Sequence, residues 1–126
     1  MKVLLDTNFV LTCAKRKIDF VAMAEEMFDE KIEWVVPVDV LGELEDLVIR
    51  EKMKVVDKNS AKVGLEVLEN VGVEAIELPG KNPNVDVKIA NYLKDKNIVL
   101  ATQDKELKKR VRNRLLIVRG KKLEFV

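Results

Sequence analysis

The chain has no histidine and a single cysteine, Cys13, among its 126 residues. Those absences remove a Ser-His-Asp or Cys-His triad, a His-rich zinc site and any intrachain disulfide. No apolar run approaches the roughly 18 residues that a bilayer span needs. The amino terminus also lacks the apolar length and small-residue cleavage pattern of a signal peptide. The expectation is a soluble cytoplasmic protein with no membrane partner. Charge of one sign is lacking too: 23 basic and 22 acidic residues give a formal net charge of +1, which alone says little about partners. What remains for chemistry is carboxylates, lysines and hydroxyls. Lysine and glutamate contribute 17 and 13 residues and Gln103 is the sole glutamine, a balance reported for heat-adapted proteins.

No internal repeat, linker or low-complexity stretch divides the chain, so its length suits one domain over residues 1–126. Short β-rich apolar runs alternate with segments of helical period, the pattern of a parallel sheet covered on both faces. Strands are expected at 2–5, 34–36, 73–78, 98–101 and 115–118, with 122–126 either a short sixth strand or an edge extension. Helices are expected at 7–17, 20–28, 37–52, 59–71, 85–96 and 104–112. Pro37 opens the third helix, Gly72 ends the fourth and Asn84 caps the fifth. Short connections and right-handed crossovers lead to an α/β doubly wound parallel sheet of about five strands, ordered 3-2-1-4-5, with helices on both faces.

In such a sheet the functional crevice lies beyond the carboxyl ends of the strands, where the winding direction reverses. Asp6 closes the first strand and Asp104 follows the fourth, in VLLDTN and IVLATQD, so the two face each other across that crevice. Asp86 falls inside the apolar stripe of its helix, beside Ile89 and Ala90, where a carboxylate needs a partner. Glu43 and Glu45 sit at opposite borders of their helix stripe, and spacing alone leaves the choice between them open. Each residue has a plainer explanation: Asp6 and Asp104 as helix N-caps, Asp86 as a first-turn carboxylate favoured by the helix dipole, Glu43 as a solvated border residue. Their convergence on one sheet edge favours a shared role. Clustered carboxylates repel unless a cation neutralises them, and hard oxygen ligands suit Mg²⁺ or Mn²⁺. Two such ions about 4 Å apart support in-line phosphodiester displacement without histidine. Thr102 can orient a carboxylate or water, and Asn8 can hold Asp6 or a phosphate; both can equally be turn or capping side chains.

The segments VLLDTNFVL, VPVDVLGELEDL, VDVKIANYLKDKN and IVLATQDKELKKRVRN resemble, in order and spacing, the PIN-domain nucleases. The resemblance covers nearly the whole chain. Carried over by position, Asp6, Glu43, Asp86 and Asp104 match the family's acidic quartet, with Asn8 and Thr102 in supporting polar positions, and this selects Glu43 over Glu45. It implies a Mg²⁺- or Mn²⁺-dependent endoribonuclease, with one or two ions on those carboxylates, that hydrolyses single-stranded RNA and often forms a homodimer. The phrases GELEDL and ATQDKELKKRVRN look more like archaeal relatives of the endonuclease that processes pre-ribosomal RNA than like toxin ribonucleases. A toxin with an antitoxin partner shares the same quartet, so both readings stay open. So does a non-catalytic RNA-binding module working with ribosome-maturation partners.

Charge is distributed unevenly. Residues 1–104 carry 14 basic and 20 acidic side chains, a net −6, whereas residues 105–126 carry 9 and 2, a net +7. Lys105, Lys108, Lys109, Arg110, Arg112 and Arg114 follow directly on Asp104 and are the expected RNA contacts beside the acidic site, with a solvated helix face as their plainer role. Aromatic residues are few, which argues against base readout by stacking. A receiver domain would want an aspartate closing the third strand, where Leu78-Pro79 stands. A dehalogenase-type phosphatase would want one at the position of Asn8.

Overall fold

A continuous apolar run, in place of an alternating one, marks a strand covered on both faces. Strand β1 (Lys2–Leu5) is such a strand, with Val3, Leu4 and Leu5 fully buried. The computed structural model describes residues 1–50 and 52–126. After β1 come α1 (Thr7–Lys15), α2 (Phe20–Met27), β2 (Glu33–Pro37), α3 (Val38–Ile49), α4 (Val55–Val71) and β3 (Glu74–Ile76). Then follow α5 (Val85–Leu93), β4 (Val99–Ala101), α6 (Lys105–Arg110), β5 (Leu115–Arg119) and β6 (Lys122–Phe125).

The six strands form one sheet in the order β3-β2-β1-β4-β5-β6. Neighbours are parallel except β6, which returns antiparallel along β5 through a turn where Gly120 takes a positive φ of 64°. The 122–126 segment is therefore a true sixth strand added to the expected five. The chain winds from β1 toward β3 on one side and from β4 toward β6 on the other, so the reversal lies between β1 and β4. Right-handed crossovers then place α1, α3 and α4 on one face, where they pack together, and α5 and α6 on the other. The core lies between these layers around Phe9, Val35, Leu44, Ile89, Leu100 and Leu116. Phe20 stacks edge-on against both Phe9 and Trp34 at one side of it. No helix among the described residues is long and apolar enough to cross a membrane.

Several boundaries differ from expectation. The third helix stops at Ile49, with Arg50 extended, instead of running to residue 52; Glu51 lies outside the described residues. The fourth begins a turn early at Val55. There Asp57 occupies the first turn and its carboxylate pairs with Lys15 of α1 at 2.7 Å, anchoring a start that carries no side-chain cap. The fifth ends at Leu93 because Lys94 turns extended and Asp95 takes a φ of +60°. The sixth spans only 105–110.

Candidate active site

Register sets Asp6 beside the segment that leads from β4 to Asp104: Leu5 pairs with Ala101, and the Asp6 amide donates to the Ala101 carbonyl at 3.0 Å. Both residues act as N-caps, but differently. Asp104 uses Oδ1 to accept from the amides of Glu106 (2.8 Å) and Leu107 (3.3 Å), an ordinary cap that takes up one carboxylate oxygen and not the other. Asp6 accepts only from the Thr7 amide through Oδ1 and from the Thr102 hydroxyl through Oδ2, at 2.9 and 2.7 Å. It is 4% exposed, so its carboxylate is largely withdrawn from water.

Thr102 is fully buried. A hydroxyl has one proton, and the short contact to Asp6 Oδ2 takes it. The same oxygen then accepts the Asp104 amide at 3.1 Å. Asn8 does not hold Asp6. Its Oδ1 accepts the Gln103 amide at 2.9 Å and so fixes the loop between β4 and α6. Gln103 completes that loop with two bonds to the Val118 backbone on β5, its Nε2 donating at 3.0 Å and its Oε1 accepting at 2.7 Å.

The other two carboxylates come from the helices that enter from either face. Asp86 stands in the first turn of α5, whose amides at Asp86 and Val87 are capped by Asn84. Glu43 lies on the second turn of α3. Glu45, its rival, faces away toward Leu65 and Leu68 in the groove between α3 and α4.

Electrostatics show that the four share one neighbourhood. Asp6 is pushed up to about 6, mainly by burial, against the lowering effect of Thr102 and Thr7, and further by repulsion from Glu43 and Asp104. Asp86 is also pushed up to about 6, by burial, by repulsion from Asp6 and Asp104, and by a proton it can share with Asp104; Arg110 opposes this. Glu43 is exposed as a residue, yet burial at its carboxyl raises it, helped by Asp86 and Asp39.

Two features carried no sequence signal. The Thr7 hydroxyl is buried with no hydrogen-bond partner. It lies toward Glu43 and lowers its pKa without closing a bond. Lys88 and Asp39 form a half-buried ion pair at 2.8 Å that ties α5 to α3, the helices carrying Asp86 and Glu43.

The donor set suits a hard divalent cation: carboxylate oxygens, an orphaned hydroxyl, and charge that only Arg110 offsets at Asp86. It is not a closed cage. Among the described residues no three carboxylate or thiolate side chains stand close enough together to hold an ion as they are. Cys13 is no ligand here; it is buried on the inner side of α1 and its thiol is pushed up to about 12 by that burial.

The basic residues separate. Lys105 and Lys108 lie on α6 just past Asp104, and Lys109 pairs loosely with Glu106 at 3.8 Å. Arg112 and Arg114 sit at the entry to β5, the opposite end of the sheet, since the Arg114 carbonyl accepts the Leu100 amide.

Comparison with known proteins matches residues 3–121 to a family model described as a PIN like domain. Ribonuclease VapC4 of Methanocaldococcus jannaschii is 32% identical over 126 residues, spanning 96% of this chain and 92% of that protein. The solved structure of the PIN domain endonuclease Utp24 superposes with a TM-score of 0.81 at 26% identity, over 98% of this chain and 90% of that one. VapBC2 from Rickettsia felis, solved bound to a DNA fragment from its promoter, shares the fold: TM-score 0.65, 19% identity, 94% and 100% coverage.

Proposed function

This chain belongs to the PIN-like domain family, and on that premise we propose that it is a divalent-metal-dependent endoribonuclease acting on single-stranded RNA. The observation that supports the reading is the mutual repulsion linking Asp6, Glu43, Asp86 and Asp104 beside the reversal of the sheet, with Asp6 and Asp86 pushed up to about 6 chiefly by burial. A relative named a ribonuclease and a structural neighbour named an endonuclease support it.

In this reading Asp6, Glu43, Asp86 and Asp104 hold one or two Mg²⁺ or Mn²⁺ ions. The chemistry such ions supply is neutralisation of the phosphodiester and activation of water for in-line attack. The protein's own part is positioning. Thr102 fixes both Asp6 and the chain at Asp104, and Asn8 and Gln103 hold the loop between them. Asp104 caps α6 through Oδ1 alone, which leaves Oδ2 outside the cap. Lys105, Lys108, Lys109, Arg110, Arg112 and Arg114 supply the positive potential that attracts the polyanion.

The substrate we favour is ribosomal RNA in processing, on the strength of the GELEDL and ATQDKELKKRVRN phrases, while the superposition on the endonuclease Utp24 supports the endonucleolytic part of the reading. The second reading, a toxin-type ribonuclease held by an antitoxin, is favoured by the 32% identity to ribonuclease VapC4. Exposed Ile49, Val55, Val56 and Val63 along α3 and α4 support a homodimer in either case. The test is cleavage of single-stranded RNA by the purified chain with Mn²⁺ or Mg²⁺. The expected result is loss of cleavage in excess chelator and in Asp6→Asn. Undiminished cleavage in chelator overturns the metal mechanism, and binding without cleavage returns the chain to the non-catalytic module. Growth arrest on expression, relieved by a co-expressed antitoxin, would favour the second reading.

A further inference from the structure

Away from the acidic crevice, the end of α5 and the loops entering β4 and β5 enclose a groove of about 810 Å³. Its charged lining is Lys94, Lys96, Arg110, Arg112 and Arg114 against one carboxylate, Asp95. Some cations elsewhere are paired with acids, among them Lys15 with Asp57, Lys88 with Asp39 and Arg50 with Asp46, but what sets this groove apart is five cations around one concavity. Among the described residues, Lys94, Arg110 and Arg112 have no carboxylate within ion-pair distance. Lys96 and Arg114 rest against Tyr92 and Phe125, yet both stay exposed. Like charges gathered in one concavity repel, and a polyanion relieves that repulsion.

The wall is fixed before any ligand arrives. Asn113 Nδ2 donates to the carbonyls of Lys96 at 2.9 Å and Ile98 at 2.8 Å, and lies 3.4 Å from that of Leu93. The loop carrying Lys94 and Lys96 is thereby pinned against the one carrying Arg112, so little ordering entropy is lost on binding. Arg110 connects this groove to the crevice. It lines the groove at the end of α6, and its charge reaches Asp86. Nothing aromatic lines the groove among the described residues, so it suits phosphates and not stacked bases.

We propose that this groove holds the sugar-phosphate backbone of the same single-stranded RNA whose scissile bond lies at the acidic crevice, so that the substrate is gripped at two poles joined by Arg110. This rests on the ribonuclease reading above. The experiment measures binding of a labelled oligouridine by fluorescence anisotropy in excess chelator, across roughly 50 to 200 mM salt. It compares the native chain, Lys94→Gln/Arg112→Gln, and a control, Lys58→Gln/Lys62→Gln, that removes the same charge from α4 on the opposite face. Each phosphate contact adds about 0.7 to the salt slope for single strands, so the groove variant should lose about 1.4 of slope and on the order of tenfold in affinity at 0.1 M salt. The control should bind as the native chain does. Equal losses in both variants, or none in the groove variant, would overturn the proposal. So would a groove variant that loses affinity for polyglutamate while binding RNA unchanged, because the occupant would then be an acidic polypeptide. Failure of the ribonuclease reading is separate: the native chain would bind the RNA but leave it uncut when Mn²⁺ is restored.

Discussion

The Thr102 hydroxyl donates to Asp6 Oδ2 at 2.7 Å and accepts the Asp104 amide at 3.1 Å, so one buried oxygen ties the end of β1 to the segment leaving β4. Thr102→Val keeps the shape but orphans a buried carboxylate oxygen and an amide. It should cost about 1–3 kcal/mol in chemical denaturation and raise Asp6 further. Thr102→Ser keeps the hydroxyl and should hold most of the stability and most of the RNA cleavage. Equal behaviour of the two variants would mean that the hydroxyl positions nothing.

The metal-free chain should become less stable as pH rises from about 4 to about 6. Asp6 has an ordinary value of 3.8 and titrates near 6 when folded. Between those values the folded state keeps a proton that the unfolded chain releases, so stability is fullest below the lower value and falls through the higher one. For Asp6 the loss is about 3 kcal/mol, and Asp86 acts in the same direction. Asp57, held low by Lys15, acts the opposite way and only below the ordinary aspartate value. Mn²⁺ should raise the melting temperature at neutral pH and leave it unchanged near pH 4. A chelated chain that gains stability from pH 4 to 7 would contradict the assignment of Asp6.

What was legible in the sequence depended on patterns that are local. The apolar run Val3–Leu5 and the turn residues Gly72 and Asn84 mark a buried strand and two helix ends without reference to the rest of the chain. Strand order followed from crossover handedness, and with it the facing of Asp6 and Asp104. Hydrogen-bond partners are set only after the strands pair. Asn8 therefore went to Gln103 and not to Asp6, and Thr7 and Gln103 carried no spacing signal at all. Basic residues adjacent in sequence also part company. The six residues of α6 carry the chain about 9 Å along the sheet, which takes Arg112 and Arg114 away from Asp104.

Gly64 lies at a close approach of α4 to α1. A Cβ there would stand 2.7 Å from Val10 Cγ1, and Val10 is a buried, β-branched side chain with few rotamers to turn to. Gly64→Ala should therefore destabilise by about 1–3 kcal/mol despite alanine's better helix propensity. Adding Val10→Ala should restore part of the loss, a coupling that a double-mutant cycle by denaturation would read. Additive effects would place the strain elsewhere.

The Lys88–Asp39 pair sets the distance between the helices that carry Asp86 and Glu43. Lys88→Met leaves Asp39 half-buried, unpaired and closer in effect to Glu43, which it already helps to raise. The expected loss is about 1–3 kcal/mol with Glu43 shifted further up, observable by denaturation and carboxyl NMR titration. Lys88→Met/Asp39→Leu should recover stability relative to Lys88→Met alone. A double variant as unstable as the sum of its singles would show that the ion pair is not what joins α3 to α5.

Asp104 is both a cap and a proposed metal ligand, and the two roles separate by substitution. Asparagine accepts through its Oδ1 as aspartate does, so Asp104→Asn keeps the bonds from Glu106 and Leu107 and should change stability by only a few tenths of a kcal/mol. Removing a negative charge from Asp86's surroundings should also let Asp86 fall back toward its ordinary value. Asp104→Ala loses the cap and should cost about 1 kcal/mol. If Asp104 serves only α6, cleavage will follow stability: Asn near native, Ala reduced. If its Oδ2 serves the reaction, both variants will be inactive while Asn stays folded to the native temperature. RNA cleavage measured beside thermal melting for the pair decides between them, and the expected outcome is the second.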